Sequence, residues 1–190
     1  MSQQITVPLS DRDIRDLRVG QSVGINGVIY VGRAPTFEFI GGGNELTPLP
    51  AGCVLYHSTP VAKKKGKVWT VNSFGPDFSP PLDAHMRDLI VRCGVRGFIG
   101  RGELGKSTVQ LFRQQGACYF HAIGGAGVSL ARRVKEVRQL HSSDKLDDRD
   151  GLWEILVENF PVVVSIDSHG ASLHEMIRDV STRRLQGLLA

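Results

Sequence analysis

Short apolar runs, most of them closed by glycine or proline, alternate with polar stretches along the chain. Ile5-Thr6-Val7-Pro8-Leu9 predicts a first strand, and Ser10 followed by Asp11 and Asp13 predicts a capped helical turn. Residues 19–31 hold apolar positions around Gly24 and Gly27 and predict a β-hairpin with a tight turn. Residues 53–57 and 68–71 predict two further strands, with Lys63, Lys64, Lys65 and Lys67 as a solvated hairpin tip between them. The first half is therefore β-rich. Segment 82–93 sets Leu82, Met86, Leu89 and Ile90 on one helical face. Strands are predicted at 95–99 and 118–123, around a helix at 109–115 that Ser107 or Thr108 can cap and Gly116 stops. The remainder reads as a basic helix at 127–140, a polar connector at 141–150, a strand at 162–166 and an amphipathic helix at 173–189. Arg178, Arg183 and Arg184 on that last helix are expected in solvent.

The glycine turns draw the eye to chemistry. Gly100, Gly102 and Gly105 follow one predicted strand, and Gly124-Gly125 follows another. In an open α/β sheet ligands gather at the carboxyl ends of strands. Glycine lets the backbone approach an anion, and amides at the next helix start can hold it. The alternative is two tight turns without a ligand. Gly100 to Ser107 also fits the phosphate-loop pattern G-x-x-x-x-G-K-[ST], and Val162 to Asp167 resembles a strand bearing a magnesium-binding aspartate. A nucleotide-hydrolysing core normally opens with that loop, whereas here a long β-rich segment precedes it.

Composition narrows the classes. The 190 residues suit one domain, with 41% hydrophobic and 22% charged residues, ordinary for a soluble globule. A net charge of +4 is spread along the chain, so it points to no nucleic-acid partner and slightly favours small anions. Residues 1–16 are polar, and no apolar run nears membrane-spanning length, so a cytoplasmic protein without a membrane partner is expected. Cys53, Cys93 and Cys118 are scattered, which indicates neither a zinc site nor a disulfide framework. His57, His85 and His121 are read as packed or hydrogen-bonded, and His141, His169 and His174 as surface residues.

Five landmarks in order carry a resemblance. Val23 to Tyr30 resembles an opening strand pair, and Gly75-Pro76 resembles the start of a Gly-Pro-Thr-Thr motif. Val95 to Gly102 resembles an Ile-Gly-Lys-Gly-Gly loop, Gly124-Gly125-Ala126 a Gly-Gly-Ala-Ala turn, and Glu158 to Val164 a Glu-x-Phe-Pro strand. From about 19 to 175 the chain thus resembles the β subunit, or C-terminal domain, of the class I fumarases and L-tartrate dehydratases, which are iron–sulfur hydro-lyases. The resemblance implies a mixed α/β domain of the swivelling β/β/α type. It implies addition or removal of water on a small hydroxy-dicarboxylate such as malate or tartrate. It also implies an α subunit that carries the iron–sulfur cluster, and assembly into an oligomer. This chain would hold no metal itself.

Transferred onto this sequence, Asp77 stands at the first threonine of Gly-Pro-Thr-Thr, the place of the base, and Phe78 at the second. Arg101 stands at the lysine of the glycine loop and keeps its positive charge, while Glu103 replaces a glycine. Pro81 stands where the family has a carboxylate-binding arginine, and Arg33 matches an arginine of an Ala-Arg-Asp segment whose remainder differs. Asp77 and Arg101 are thus the expected catalytic pair. Arg33, Gly75, Ser79, Gly100, Gly102, Gly124 and Gly125 are the expected substrate-binding set. Two alternatives stay open: an inactive or regulatory relative that still binds a small carboxylate, and a phosphate-loop nucleoside triphosphatase using Gly100 to Ser107.

Overall fold

The computed structural model describes residues 3–147 and 149–189. In chain order they form β1 (Gln3–Val7), α1 (Asp11–Asp16), β2 (Ser22–Gly32), α2 (Ala34–Gly41), β3 (Val54–His57), β4 (Val61–Lys65) and β5 (Val68–Ser73). A single 3-10 turn at Pro80–Leu82 leads into α3 (Asp83–Val91). Then come β6 (Gly97–Gly100), α4 (Lys106–Gln115), β7 (Cys118–His121), α5 (Gly127–Ala131), β8 (Val134–His141), β9 (Leu152–Ile166) and α6 (Leu173–Leu189).

The main sheet runs β1-β2-β3-β6-β7-β9-β8, and β2 also pairs with β9. That extra pairing closes β2, β3, β6, β7 and β9 into a small five-stranded barrel. β2, β3, β6 and β7 are parallel, and β9 runs against both β7 and β2, so the barrel is mixed. Period-two alternation divides the strand side chains between two cores. Val54, Tyr56, Ile99, Phe120 and Phe160 join one, and Leu55, Phe98 and Tyr119 join the other, beneath α2, α3 and α4. The fold is mixed α/β, as the sequence predicts.

Several local expectations are corrected. Residues 22–32 make one continuous strand rather than a hairpin. Gly27, at φ +109°, sits where the β2–β9 register shifts, so it marks a bulge and not a turn. A Cβ there would lie 2.6 Å from the Val7 carbonyl oxygen, so the missing side chain also lets β1 approach. Residues 127–140 are not one helix: α5 stops at Ala131 and β8 follows. Register shifts in β8 space the inward residues Val134, Val137 and Leu140 three apart, which mimics a helical period. Lys63, Lys64 and Lys65 lie in β4 itself, and only Lys67 is in the turn to β5, beside Gly66. Residues 34–41, for which no element is predicted, form α2. α4 starts at Lys106 with Gly105 as its cap, so neither Ser107 nor Thr108 caps it.

α6 buries none of its residues and leaves Met176, Ile177, Val180, Leu185, Leu188 and Leu189 exposed. Its Arg178 is exposed, as expected, and pairs there with Glu103. No described helix is long and apolar enough to cross a membrane.

Gly27→Ala should lower the unfolding free energy by roughly 1–3 kcal/mol, because it combines a positive φ with a backbone clash. Urea unfolding followed by circular dichroism checks this. An unchanged midpoint would remove the bulge from the account of β2.

Candidate active site

The parallel strands β2, β3, β6 and β7 finish at one rim of the barrel, where β9 begins. Residues 75–79 fill the gap between the ends of β3 and β6. The Asp77 amide donates to the His57 carbonyl at 2.8 Å, the Arg101 amide to the Asp77 carbonyl at 3.2 Å, and the Ser79 amide to the Arg101 carbonyl at 2.9 Å. Ser58 bridges to Pro76 on one side and Phe78 to Arg101 on the other. These bonds satisfy backbone groups that the diverging strands would otherwise leave unpaired.

Asp77 and Arg101, proposed as a pair from sequence, are therefore neighbours on interlocked backbone. Thr59 Oγ1 donates to Asp77 Oδ2 at 2.7 Å, and Arg101 Nε donates to the Pro76 carbonyl at 3.0 Å. Neither side chain enters an ion pair among the described residues. The Phe78 ring is 52% exposed beside them, with the Arg101 guanidinium 5.9 Å from its centroid. The ring also explains Gly102, where a Cβ would come within 2.7 Å of it. Gly100 is required for a similar reason. A Cβ there would lie 2.0 Å from Ser79 Oγ and 2.9 Å from the Tyr119 hydroxyl. Gly75 packs on Gly127, and the Phe74 amide donates to the Gly127 carbonyl at 3.2 Å. The exposed Gly124-Gly125 turn thus enters the rim next to the Asp77 loop.

Arg33 lies at the same rim, between the end of β2 and the start of α2. Its Nη1 is 2.8 Å from Asp150 Oδ1, so its charge already has a partly buried partner. Its role differs in this respect from that of Arg101.

Beneath the loop is a buried polar group that sequence reading treated as packing. His57 Nδ1 lies 3.2 Å from Ser79 Oγ. Burial holds the His57 pKa below its ordinary value; Asp77 pulls it up and Arg101 pushes it further down. Burial likewise depresses His121, whose Nε2 lies 3.1 Å from the Gly102 carbonyl; that bond works against the burial, and His174 works with it. An acceptor carbonyl puts the ring proton on Nε2. His174, expected at the surface, turns inward. Its ring sits 5.0 Å from that of His121, and its Nε2 is buried without a partner among the described residues. Thr59 and Tyr119 are the site residues that sequence missed. Only the place of Thr59, just past the His57 strand, signalled it.

The phosphate-loop match does not form a phosphate site. The Gly105 amide, at the helix start, donates instead to Asp83 Oδ2 at 2.7 Å. A carboxylate therefore occupies the ground a phosphate would need. Asp167 accepts from the Val19, His169 and Ala171 amides and is buried, so it is no magnesium ligand. Calorimetry with ATP and magnesium should show no binding, and Lys106→Ala should leave the trace unchanged. Micromolar affinity lost in that variant would restore the nucleoside triphosphatase reading.

Among the described residues no three His, Cys, Asp or Glu side chains are grouped to hold a metal ion. Cys53, Cys93 and Cys118 are not brought together into such a group, so the described residues offer no set of thiolates for an iron–sulfur cluster. The residues present do not fit that group.

Comparison with known proteins gives the site its context. The family model described as "Fumarase C-terminus" matches residues 2–177. A putative fumarate hydratase class I of Geobacillus stearothermophilus is 32% identical over 95% of this chain, which spans only 35% of that relative. A putative L(+)-tartrate dehydratase subunit beta of Methanocaldococcus jannaschii is 30% identical over 95% of both chains. The L(+)-tartrate dehydratase subunit beta of Escherichia coli is 29% identical over 91% of this chain and 87% of its own length.

Proposed function

Because the chain belongs to the fumarase C-terminus family, we propose that it is the β-type part of a hydro-lyase acting on a small hydroxy-dicarboxylate of the malate or tartrate kind. Its domain is read as the swivelling β/β/α type. The observation that carries this reading is the convergence of Asp77 and Arg101 on one rim, each with its charge unspent.

Removing water from a 2-hydroxy acid requires a proton to leave the carbon beside the one that loses hydroxide. Arg101 holds a substrate carboxylate through its outward guanidinium amines, a charge-assisted contact. Asp77 takes the proton, with Thr59 fixing one carboxylate oxygen so that the other faces substrate. The exposed backbone at Gly124 and Gly125 lets substrate approach without a side chain in the way, while Gly100 and Gly102 make room for Ser79 and Phe78. The leaving hydroxide needs a Lewis acid, which an iron–sulfur cluster bound to an α partner would supply. The apolar face of α6 and the exposed Phe78, Ile123 and Val128 support such a partner, because surface of this kind is normally covered. The cytoplasm is the compartment proposed, where three free cysteines stay reduced.

A second reading is favoured by the Arg33–Asp150 pair, which leaves Arg101 as the rim's unpaired arginine. On that reading the chain binds a carboxylate without turning it over.

Co-expression with its α partner and an ultraviolet assay for the alkene separate the two. Arg101→Ala should lower kcat/KM by roughly one to two decades, the factor carried by a lost charged hydrogen bond of about 1.5–3 kcal/mol. Asp77→Asn should lower kcat far more than it changes KM, because a base acts in the transition state. Full turnover in Asp77→Asn would exclude Asp77 as the base, and ligand binding without any turnover in the wild type would favour the second reading.

Anaerobic purification of this chain alone should yield no stoichiometric iron or acid-labile sulfide. Iron bound at one cluster per chain would overturn the assignment of the cluster to a partner.

A further inference from the structure

Under the Asp77 loop three polar side chains meet in a region otherwise lined by Phe37, Leu82 and Met86. Ser79 and Tyr119 are each 1% exposed and His57 is 6% exposed. The Tyr119 hydroxyl is buried without a hydrogen-bond partner among the described residues. Such a group costs about 1–3 kcal/mol if it stays unsatisfied, so its persistence calls for an explanation. Ser79 Oγ and the Tyr119 hydroxyl both face Gly100, where a Cβ would lie 2.0 and 2.9 Å from them, and Ser79 acts on the phenol from there. His57, Ser79 and Tyr119 also line, with apolar side chains, a cavity of about 10 Å³. That is about the space one water needs, and three polar partners are enough to hold it.

We propose that Tyr119, Ser79 and His57 form one buried hydrogen-bonded chain, completed by a single water in this cavity. The chain locks the Asp77 loop against Arg101 while His57 is neutral and loosens it when His57 takes up a proton. The inference rests on the reading of Asp77 and Arg101 as the substrate-facing pair, and it makes the three residues positioning groups for that pair.

The direction of the chain follows from donors and acceptors. The phenol donates through the water to Ser79, and Ser79 donates to Nδ1 of neutral His57. A proton on Nδ1 makes that nitrogen a donor. Ser79 must then turn its own proton elsewhere, and the acceptor within reach is the Asp77 carbonyl, 3.4 Å away. That same carbonyl accepts the Arg101 amide at 3.2 Å. Protonation therefore settles Ser79 as a second donor on the oxygen that already accepts the Arg101 amide, and two donors sharing one carbonyl each bond it more weakly, so the hold on the loop that carries Asp77 slackens. The charges facing His57 are the Asp77 carboxylate and the Arg101 guanidinium, of opposite effect, and Asp83 faces the Tyr119 end from α3.

The test is an NMR titration of the His57 ring in the isolated chain, with the exposed His169 as internal control. In the wild type His57 should titrate below the ordinary histidine value. Ser79→Ala and Tyr119→Phe each remove stabilisation of neutral His57, so each should raise its midpoint by about half a unit or more, with His169 unmoved. An unchanged His57 midpoint in both variants would overturn the chain. So would a higher melting temperature for Tyr119→Phe, which would mark the phenol as an unsatisfied group and not a member of a network. If Ser79→Ala does not fold, Tyr119→Phe decides alone. In the complex with the α partner, the acid limb of kcat/KM should move with the His57 midpoint across these proteins. A fixed acid limb despite a shifted midpoint would overturn the link to Asp77 and Arg101. A complex with no turnover at all would instead count against the hydro-lyase reading and leave the titration result standing.

Discussion

The pairing of β2 with β9 is the contact on which the geometry of the molecule rests. The two strands run side by side from Ser22 and Val163 to Val31 and Trp153. β3, β6 and β7 have four residues each, too short to define a sheet of their own. Closed into a barrel by β2 and β9, they are forced to end at one rim. Every residue proposed for binding or catalysis follows one of those ends or sits on the loop between them. Gly27 makes this possible at one point. Its bulge lets β2 curve while β1 packs alongside, a standard way of bending a strand in a small barrel.

A closed barrel with diverging strand ends leaves backbone amides and carbonyls without partners. The chain answers by inserting residues 75–79 between β3 and β6 as a short extra ribbon. The amides of Asp77, Arg101 and Ser79 are all used in this way. The main chain thus fixes the two residues relative to each other, and their side chains stay available. The glycines at 100 and 102 follow from the same insertion, because Ser79 and Phe78 fill the places where their side chains would go. A loop held by backbone bonds is also sensitive to any group that competes for those carbonyls, and Ser79 lies within reach of one.

Much of this was legible in the sequence. The capped first helix, the Gly116 stop and the short strands β3, β6 and β7 follow from local pattern, because each depends on neighbours a few residues away. The capping box at Ser10 and Asp13 forms as the residues suggest. The failures share a different cause. Gly27 looked like a turn and the spacing of Val134, Val137 and Leu140 looked like a helix. In both places a bulge against β9 alters the period, and a bulge is set by a partner strand distant in sequence. Asp77 and Arg101 were legible as a pair through resemblance alone, since twenty-odd residues separate them and only the ribbon brings them together. The Arg33–Asp150 contact, the inward turn of His174 and the phenol under Gly100 were not legible. Each depends on a tertiary approach that no local pattern encodes.

The electrostatics of the rim complete the argument. Arg33 is neutralised by Asp150, and Glu103 by Arg178. Asp77 and Arg101 are opposite charges on adjoining backbone, and direct pairing would have been the simplest outcome. It does not occur, because each is engaged by a neutral group: Thr59 donates to the carboxylate, and Arg101 donates to the Pro76 carbonyl. Neutral hydrogen bonds fix the direction of a charged side chain while leaving its charge to act on something else. On the proposed hydro-lyase reading, a rim in which two charges are cancelled and two are aimed but kept apart suits a ligand that carries both an anionic end and a removable proton. This selectivity distinguishes the Asp77–Arg101 pair from the ordinary charged surface of a protein with net charge +4.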